Sequence, residues 1–196
     1  MTRAYEWNPM PHCVAVRCPE CLAQATFEFA EIVQIKKADV PFFERSKQFD
    51  YRFVESDSGQ RWHAAIYYSG LHGHGTDPIR DLPEGYAPSQ WDHPRYLVRT
   101  ASNMNLGSVR CQCGIRRKHQ LIWPRDAYFQ LDDHGATLWA FDRDSALSLR
   151  AFIASDERAP KAHRWAGMLM KVPKQFLVRH HSDAILTKLD RLLSQS

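Results

Sequence analysis

The chain has 196 residues, enough for one large domain or for a domain with an appendage. Hydrophobic residues make up 44% and aromatic residues 12%, a balance that is typical of globular proteins and argues against wholesale disorder. No apolar run approaches the roughly 20 residues that span a bilayer, and residues 1–11 lack a signal-peptide core. We therefore expect a cytoplasmic protein with no membrane contact.

The formal net charge of +4 is modest but unevenly distributed. Residues 22–100 hold nine basic and eleven acidic residues, whereas residues 150–196 hold nine basic and four acidic residues. Residues 110–125 contain no acidic residue, and their basic residues are Arg110, Arg116, Arg117, Lys118 and Arg125. Positive charge gathered near the middle and at the end of the chain favours contact with a polyanion.

The first predicted elements are strands. Residues 14–16 are typical of a short strand, and apolar residues alternate over 25–35, which indicates a half-buried strand that Glu31 interrupts. Residues 36–47 are polar and contain a proline, so they predict a connection. Alternation on both sides of a turn sequence predicts a β-hairpin over 49–69.

A Gly- and Pro-rich stretch follows this hairpin. Residues 70–94 predict a long loop, and residues 95–100 predict a strand that returns the chain toward the second cysteine pair. Further strands are predicted over 120–123, 127–131 and 137–141, the last two joined by a hairpin turn.

The last third of the chain has helical periodicity. Asp142 is a predicted N-cap for a helix over 143–155, and shorter helical segments follow at 164–171 and after Pro173. Ser182 is predicted to cap a final helix whose apolar stripe packs onto the rest of the protein. The expected fold class is thus α+β, with an antiparallel sheet followed by a C-terminal helical region. The expected domains are 1–155, with an insert at 22–110, and a helical appendage at 156–196.

Two cysteine pairs, Cys18 with Cys21 and Cys111 with Cys113, have the spacing of metal ligands. Structural Zn²⁺ prefers four cysteine or histidine ligands in a tetrahedron. Pro19 favours a tight turn within the first pair, and Gly114 can take the positive φ that a turn around a metal requires. The sequence therefore predicts one shared structural zinc site, in which the metal clamps two distant segments.

Other uses of these cysteines are less consistent with the sequence. Disulfides need an oxidising compartment, and a redox Cys-x-x-Cys normally opens a helix, whereas a strand is predicted here. Cys13 and His119 are the alternative ligands nearest in sequence, and we expect both to lie outside the site. The pair His72 and His74 lacks nearby partners, so we expect it to be part of a solvated loop.

These knuckles, with strand-like segments after each, resemble those of the zinc-ribbon families. The residues that carry the resemblance are Cys18, Pro19, Cys21, Cys111, Cys113 and Gly114. The layout is also similar to that of bacterial proteins of this type. It departs from the family pattern in the short second knuckle and in the 89 residues between the pairs. The resemblance implies a zinc-stabilised fold and covers a range of roles, including nucleic-acid binding and adapter functions.

Three functions remain open from the sequence. The first is binding of DNA or RNA through the acid-free run at 110–125, with Trp123 available to stack on bases. The second is a protein adapter in a bacterial mobile-element or defence complex, for which the long loop and the helical tail argue. The third is a metal-dependent nuclease; its candidate residues are Asp126, Asp132, Asp142, His63, His72, His74 and His93. Because a four-cysteine site has no open position for a substrate, we expect the zinc itself not to be catalytic.

Overall fold

The computed structural model describes residues 10–55, 59–73, 75–93, 105–133, 135–157 and 164–195, without the side chains of residues 179–181. Within these residues the strands are β1 (Cys13–Arg17), β2 (Gln24–Phe29), β3 (Glu31–Ile35), β4 (Phe49–Glu55), β5 (Arg61–Tyr67), β6 (Leu106–Cys111), β7 (Arg116–Gln120), β8 (Gln130–Asp133) and β9 (Ala136–Trp139). The helices are α1 (Val40–Arg45), α2 (Ser69–His72), α3 (Arg143–Ala154), α4 (Ala166–Leu169) and α5 (Arg179–Ser194).

The strands form antiparallel pairs in separate sheets, and a helical region follows them, so the predicted α+β class is confirmed. The chain divides into two compact units. One is Phe27–Leu121, and the other combines Met1–Thr26 with Ile122–Ser196. The domains predicted from the sequence, 1–155 and 156–196, stay a prediction.

A four-stranded sheet has the order β1-β2-β6-β7, and a three-stranded sheet has the order β3-β5-β4. The single strand predicted over 25–35 is in fact two strands, β2 and β3, which belong to different sheets. The chain passes between the sheets at Ala30, which is fully buried and donates its amide hydrogen to the Leu106 carbonyl at 2.9 Å. The interruption at Glu31 marked this place, because the apolar alternation shifts there.

The hairpin predicted over 49–69 is confirmed as β4 and β5, which pair from Phe49 with Tyr67 to Glu55 with Arg61. Its predicted turn falls partly on residues 56–58, outside the described residues. Both faces of the three-stranded sheet carry apolar clusters. One contains Ile32, Trp62 and Ile66, and the other contains Phe43, Tyr67 and Trp91.

Two predicted connections contain more structure than expected. Residues 36–47 were predicted as a connection because of Pro41, but they hold α1, whose first turn accepts a proline. Phe43 in that helix is fully buried in the core. The loop predicted over 70–94 contains the end of α2 and buries Ile79 and Trp91, so it packs as part of its unit.

The strands around the second cysteine pair differ most from the sequence prediction. The strand predicted over 95–100 lies outside the described residues, and β6 and β7 were not predicted. The strand predicted over 120–123 is wrong, because β7 ends at Gln120 and turns follow. β7 has no apolar alternation, since four of its five side chains are exposed, so its sequence carries no strand signal.

The last third of the chain follows its periodicity closely. β8 and β9 form the predicted hairpin, but its first strand runs over Gln130–Asp133 instead of 127–131, so Asp132 and Asp133 lie in the strand and not in the turn. Asp142 caps α3 by accepting a hydrogen bond from the Ser145 amide at 2.7 Å. The final helix, however, begins at Arg179 rather than after Ser182. Ser182 is buried inside the helix, and its amide donates to the Val178 carbonyl. The apolar stripe of this helix is buried at Ile185, Leu189 and Leu193, as expected.

Candidate metal centre

Each cysteine pair lies in a tight turn that reverses the chain between two strands. In the first turn the Cys18 amide donates to the Ala23 carbonyl at 2.8 Å, and the Leu22 amide donates to the Cys18 carbonyl at 3.0 Å. In the second turn the Gly114 amide donates to the Cys111 carbonyl at 3.1 Å. The residue after the second cysteine has a positive φ in both turns, 62° at Leu22 and 95° at Gly114. The two turns are therefore built alike, as two knuckles facing a common centre would be.

The backbone of the first turn donates a hydrogen bond to the sulfur of Cys18, the most deeply buried of the four cysteines. Cys18 is 0% exposed, and its Sγ accepts a hydrogen bond from the Glu20 amide at 3.4 Å. A hydrogen bond to sulfur favours the thiolate, which is the form that binds metal. This contact suits a metal ligand better than a neutral core cysteine.

The strands that adjoin the two cysteine turns, β2 and β6, are neighbours in close contact. Gly107 lies directly against β2, where an added Cβ would come within 2.2 Å of the Glu28 carbonyl oxygen and 2.4 Å of the Phe27 ring. At the start of β6, next to Gly107, the Ala30 amide donates to the Leu106 carbonyl. The second knuckle directly follows the end of β6, and the first knuckle directly precedes β2.

The four cysteines predicted as ligands lie together. One ligand sulfur from each of Cys18, Cys21, Cys111 and Cys113 falls within 4.8 Å of all the others. A tetrahedral Zn²⁺ with Zn–S bonds of about 2.3 Å would place its sulfurs roughly 3.8 Å apart, so small side-chain rotations bring the cluster to that spacing. None of the five cysteines, all of which lie in the described part of the chain, forms a disulfide, so the disulfide alternative is not supported. The donor set fits a structural metal site.

The two alternative ligands lie outside this cluster, as expected. Cys13 starts β1, five residues before Cys18, and an extended strand of that length places it roughly 16 Å away. His119 lies three residues into β7, opposite Gly107, with its ring 6.0 Å from that of Phe27. In the part of the chain that the structure describes, no other group of three or more His, Cys, Asp or Glu residues could hold an ion.

The basic residues beside the second knuckle occupy β6 and β7. Arg116 and Arg117 are exposed on β7, which is the edge strand of the four-stranded sheet. Arg110 is half-buried and lies directly opposite Arg116 in the register of the pair.

Lys118 and Arg125, which the sequence predicted as nucleic-acid contacts, each lie beside a carboxylate. The Lys118 ammonium lies 2.7 Å from the Asp50 carboxylate and 4.8 Å from the centre of the Tyr68 ring. Burial raises the pKa of the Tyr68 hydroxyl, and the charge of Asp50 adds to that shift, so the hydroxyl stays protonated. Arg125 lies 3.4 Å from Asp126, with most of its own side chain exposed.

Trp123 cannot serve as the exposed stacking residue that the sequence predicted. Its side chain is only 7% exposed. Its ring stacks on Phe141 at 5.6 Å and meets the edge of Trp139 at 5.2 Å. It is a core residue, which its position beside a basic run did not reveal.

Some of the basic residues toward the C-terminal end of the chain already contact groups of their own unit, Met1–Thr26 with Ile122–Ser196. Arg150 forms an ion pair with Asp190, and this hydrogen bond lowers the pKa of the Asp190 carboxyl. Arg143 donates to the Leu193 carbonyl. These contacts hold α3 against α5.

The carboxylates considered for a nuclease have structural roles. Asp126 accepts from the Ile122 amide at 2.8 Å, Asp132 accepts from the Thr137 hydroxyl at 2.6 Å, and Asp142 caps α3. The candidate histidines are also placed by packing. His63 bonds Tyr51, His72 stacks on Tyr67, and His93 is buried beside Phe29, while His74 lies outside the described residues.

The comparisons add no family to this picture, since no family model, curated protein or solved structure matched the chain. Among the helices that the structure describes, none is long and apolar enough to cross a membrane.

Proposed function

We propose that Cys18, Cys21, Cys111 and Cys113 bind one structural Zn²⁺ and that the hairpin beside it binds nucleic acid. The proximity of the four sulfurs, within 4.8 Å of one another, supports the metal site. A bound zinc would saturate its coordination with protein sulfur, so it would stabilise the fold rather than activate water or substrate. In that role it would fix the turn between β6 and β7, and with it the strand that carries the basic residues.

The observation that carries the nucleic-acid part is the composition and position of β7. Three consecutive basic residues, Arg116, Arg117 and Lys118, are exposed on an edge strand. Their phosphate contacts would release counterions and so give salt-dependent affinity. Arg110 and Arg125 are the other proposed contacts, and Lys118 and Arg125 would have to exchange a carboxylate partner for phosphate.

The basic residues near the knuckle could also serve to offset the negative charge of the zinc site. A zinc bound by four thiolates carries a formal excess of two negative charges, and nearby arginines reduce its electrostatic cost. That role would account for Arg110 and Arg116, which flank the knuckle. It accounts less well for Arg117 and Lys118, which continue the positive run along β7 away from the sulfurs.

The test is a titration of fluorescently labelled 20-nucleotide single strands and duplexes of DNA and RNA at 50 and 200 mM salt. We expect affinity to fall steeply with salt, with a slope of roughly −0.7 per single-strand phosphate contact. The Arg116→Ala/Arg117→Ala variant should lower the steepness of the slope by about 1.4 and weaken binding to all sequences alike. Lys37→Ala/Lys47→Ala removes the same charge from exposed positions on the same unit and serves as the matched control. Absence of binding at low salt, or an equal effect of the control variant, would reject the nucleic-acid function.

A further inference from the structure

Strand β7 forms one edge of the four-stranded sheet. In the part of the chain that the structure describes, β7 pairs with β6 alone. The opposite edge of the same sheet, β1, is covered by backbone hydrogen bonds, in which the Ala15 amide donates to the Phe141 carbonyl and the Arg17 amide donates to the Asp126 carbonyl. Among the described residues β7 is therefore the open edge of this sheet, and an open edge is a template for a further strand.

The hydrogen bonds between β6 and β7 show which backbone groups lie on the open edge. The Leu121 amide donates to the Asn105 carbonyl at 2.7 Å, and the Cys111 amide donates to the Ile115 carbonyl at 3.1 Å. Because hydrogen-bonded pairs alternate along an antiparallel ladder, the odd-numbered residues of this hairpin direct their backbone groups at the opposite strand. The even-numbered residues of β7 direct theirs away from β6; they are Arg116, Lys118 and Gln120.

The backbone of this edge suits a peptide better than a nucleic acid. Each outward residue presents one N–H donor and one C=O acceptor, and a neighbouring strand bonds both. Phosphate oxygens are acceptors, so they can bond the outward amides but not the outward carbonyls. All three outward residues are exposed, so a partner strand can reach them.

The side chains of β7 determine which kind of peptide fits. Arg116, Arg117 and Lys118 are consecutive positive charges, and the Lys118 ammonium lies 2.7 Å from the Asp50 carboxylate. A second copy of this chain would set β7 against β7, where like charges opposite each other destabilise the pairing. Opposite charges at directly opposite positions stabilise a pair of strands, so carboxylates facing Arg116 and Arg117 would favour pairing.

We propose that an extended acidic peptide of another protein adds to β7 as a fifth strand of this sheet. Backbone hydrogen bonds to the outward residues supply affinity, and carboxylates opposite Arg116 and Arg117 supply selectivity. The inference goes beyond nucleic-acid binding, because it assigns a protein partner to β7 and uses the backbone of the strand. Since both ligands would use the same arginines, the peptide should compete with nucleic acid.

The first test measures, by fluorescence anisotropy at low salt, how the wild-type protein binds a labelled seven-residue peptide with two central glutamates flanked by valine and threonine. Exchange of both glutamates for glutamine should weaken binding about tenfold. N-methylation of one alternate set of residues should weaken binding about tenfold more than methylation of the other set, because only one set directs its N–H groups at β7. No binding of the acidic peptide, or equal effects of the two methylations, would overturn the inference.

The second test changes the edge of the protein. Lys118→Pro removes an outward N–H, and proline is tolerated in an edge strand where its N–H would face solvent. Lys118→Ala removes the same charge but keeps the N–H, so it is the matched control. We expect Lys118→Pro to bind the peptide about tenfold more weakly than Lys118→Ala. Equal affinity of the two variants would overturn the inference; if urea unfolding shows that Lys118→Pro is unfolded, the peptides with the wild type decide.

Failure of the inference is distinguishable from failure of the proposed function. Salt-dependent nucleic-acid binding without peptide binding would reject the inference alone. Peptide binding without nucleic-acid binding would reject the proposed function and support the inference. Where both bind, the acidic peptide should release labelled single-stranded DNA from the protein, and simultaneous binding of the two would show that the peptide does not lie against Arg116 and Arg117.

Discussion

The side-chain ammonium of Lys118 lies 2.7 Å from the carboxylate of Asp50, 68 residues earlier in the chain. Both side chains are partly exposed, at 52% and 38%, so the pair contributes at most about 1 kcal/mol to stability. The ion pair matters more for the proposed binding of nucleic acid than for stability. The Asp50 carboxylate neutralises the Lys118 ammonium, which would otherwise be available to a phosphate. Lys118 belongs to β7, the strand that we propose contacts nucleic acid.

Asp50→Asn is therefore expected to raise nucleic-acid affinity. The change frees the Lys118 ammonium and removes one negative charge from the path of the phosphates. The slope of log affinity against log salt should steepen by about 0.7 for single strands. The double variant Asp50→Asn/Lys118→Ala should lose the gain, and unaltered affinity in Asp50→Asn would mean that phosphates do not approach β7 at this point.

Removal of the metal should destabilise the fold. Structural zinc contributes on the order of 10–16 kcal/mol where binding is coupled to folding, comparable with the entire stability of a domain. A zinc chelator should lower the Tm by more than about 10 °C, and Cys18→Ser should have a similar effect without chelator. Cys13→Ser removes a thiol outside the cluster and should leave Tm and chelator sensitivity unchanged; a chelator-insensitive wild type would contradict the prediction.

A side chain at Gly107 should disrupt the contact between β2 and β6. Because its Cβ would lie 2.2 Å from the Glu28 backbone, Gly107→Ala forces the strands apart and should cost roughly 1–3 kcal/mol, measured by urea unfolding. It should also weaken zinc binding, since β6 ends at Cys111 and leads directly into the second knuckle. At Gly59 a Cβ would meet nothing within 4 Å, so the cost of Gly59→Ala is limited to its positive φ. Equal stability of Gly107→Ala and wild type would show that the two strands separate easily.

The start of α3 offers a test that is independent of the metal. Asp142→Ala removes the acceptor for the Ser145 amide and should destabilise the protein by about 1 kcal/mol. Asp142→Asn retains a side-chain acceptor and should have a much smaller effect. Chemical unfolding of the two variants separates loss of the cap from loss of charge, and equal destabilisation by both would assign the effect to charge.

Local signals in the sequence were sufficient for several parts of this fold. The alternation in β4 and β5 predicted their pairing, because each strand has one apolar face and a turn sequence lies between them. Asp142 and the buried residues of α3 followed from helix capping and periodicity. The cysteine cluster was predicted from spacing and turn chemistry, because a knuckle is specified by residues that are close in sequence.

Other features depend on contacts that sequence patterns do not contain. β7 has an exposed, basic sequence, and it becomes a strand because β6 pairs with it. Trp123 follows a basic run yet lies in the core between Trp139 and Phe141, since its partners come later in the chain. Asp50 gave no sign of pairing with Lys118, because charge counts report composition and not proximity.

The most direct test of the central claim is the zinc content of protein purified under reducing conditions from cells supplied with zinc. Elemental analysis should find one zinc per chain, and the Cys18→Ser/Cys111→Ser variant should contain none, while Cys13→Ser keeps its full content. Wild-type protein without stoichiometric metal, or a double cysteine variant that retains it, would contradict the account.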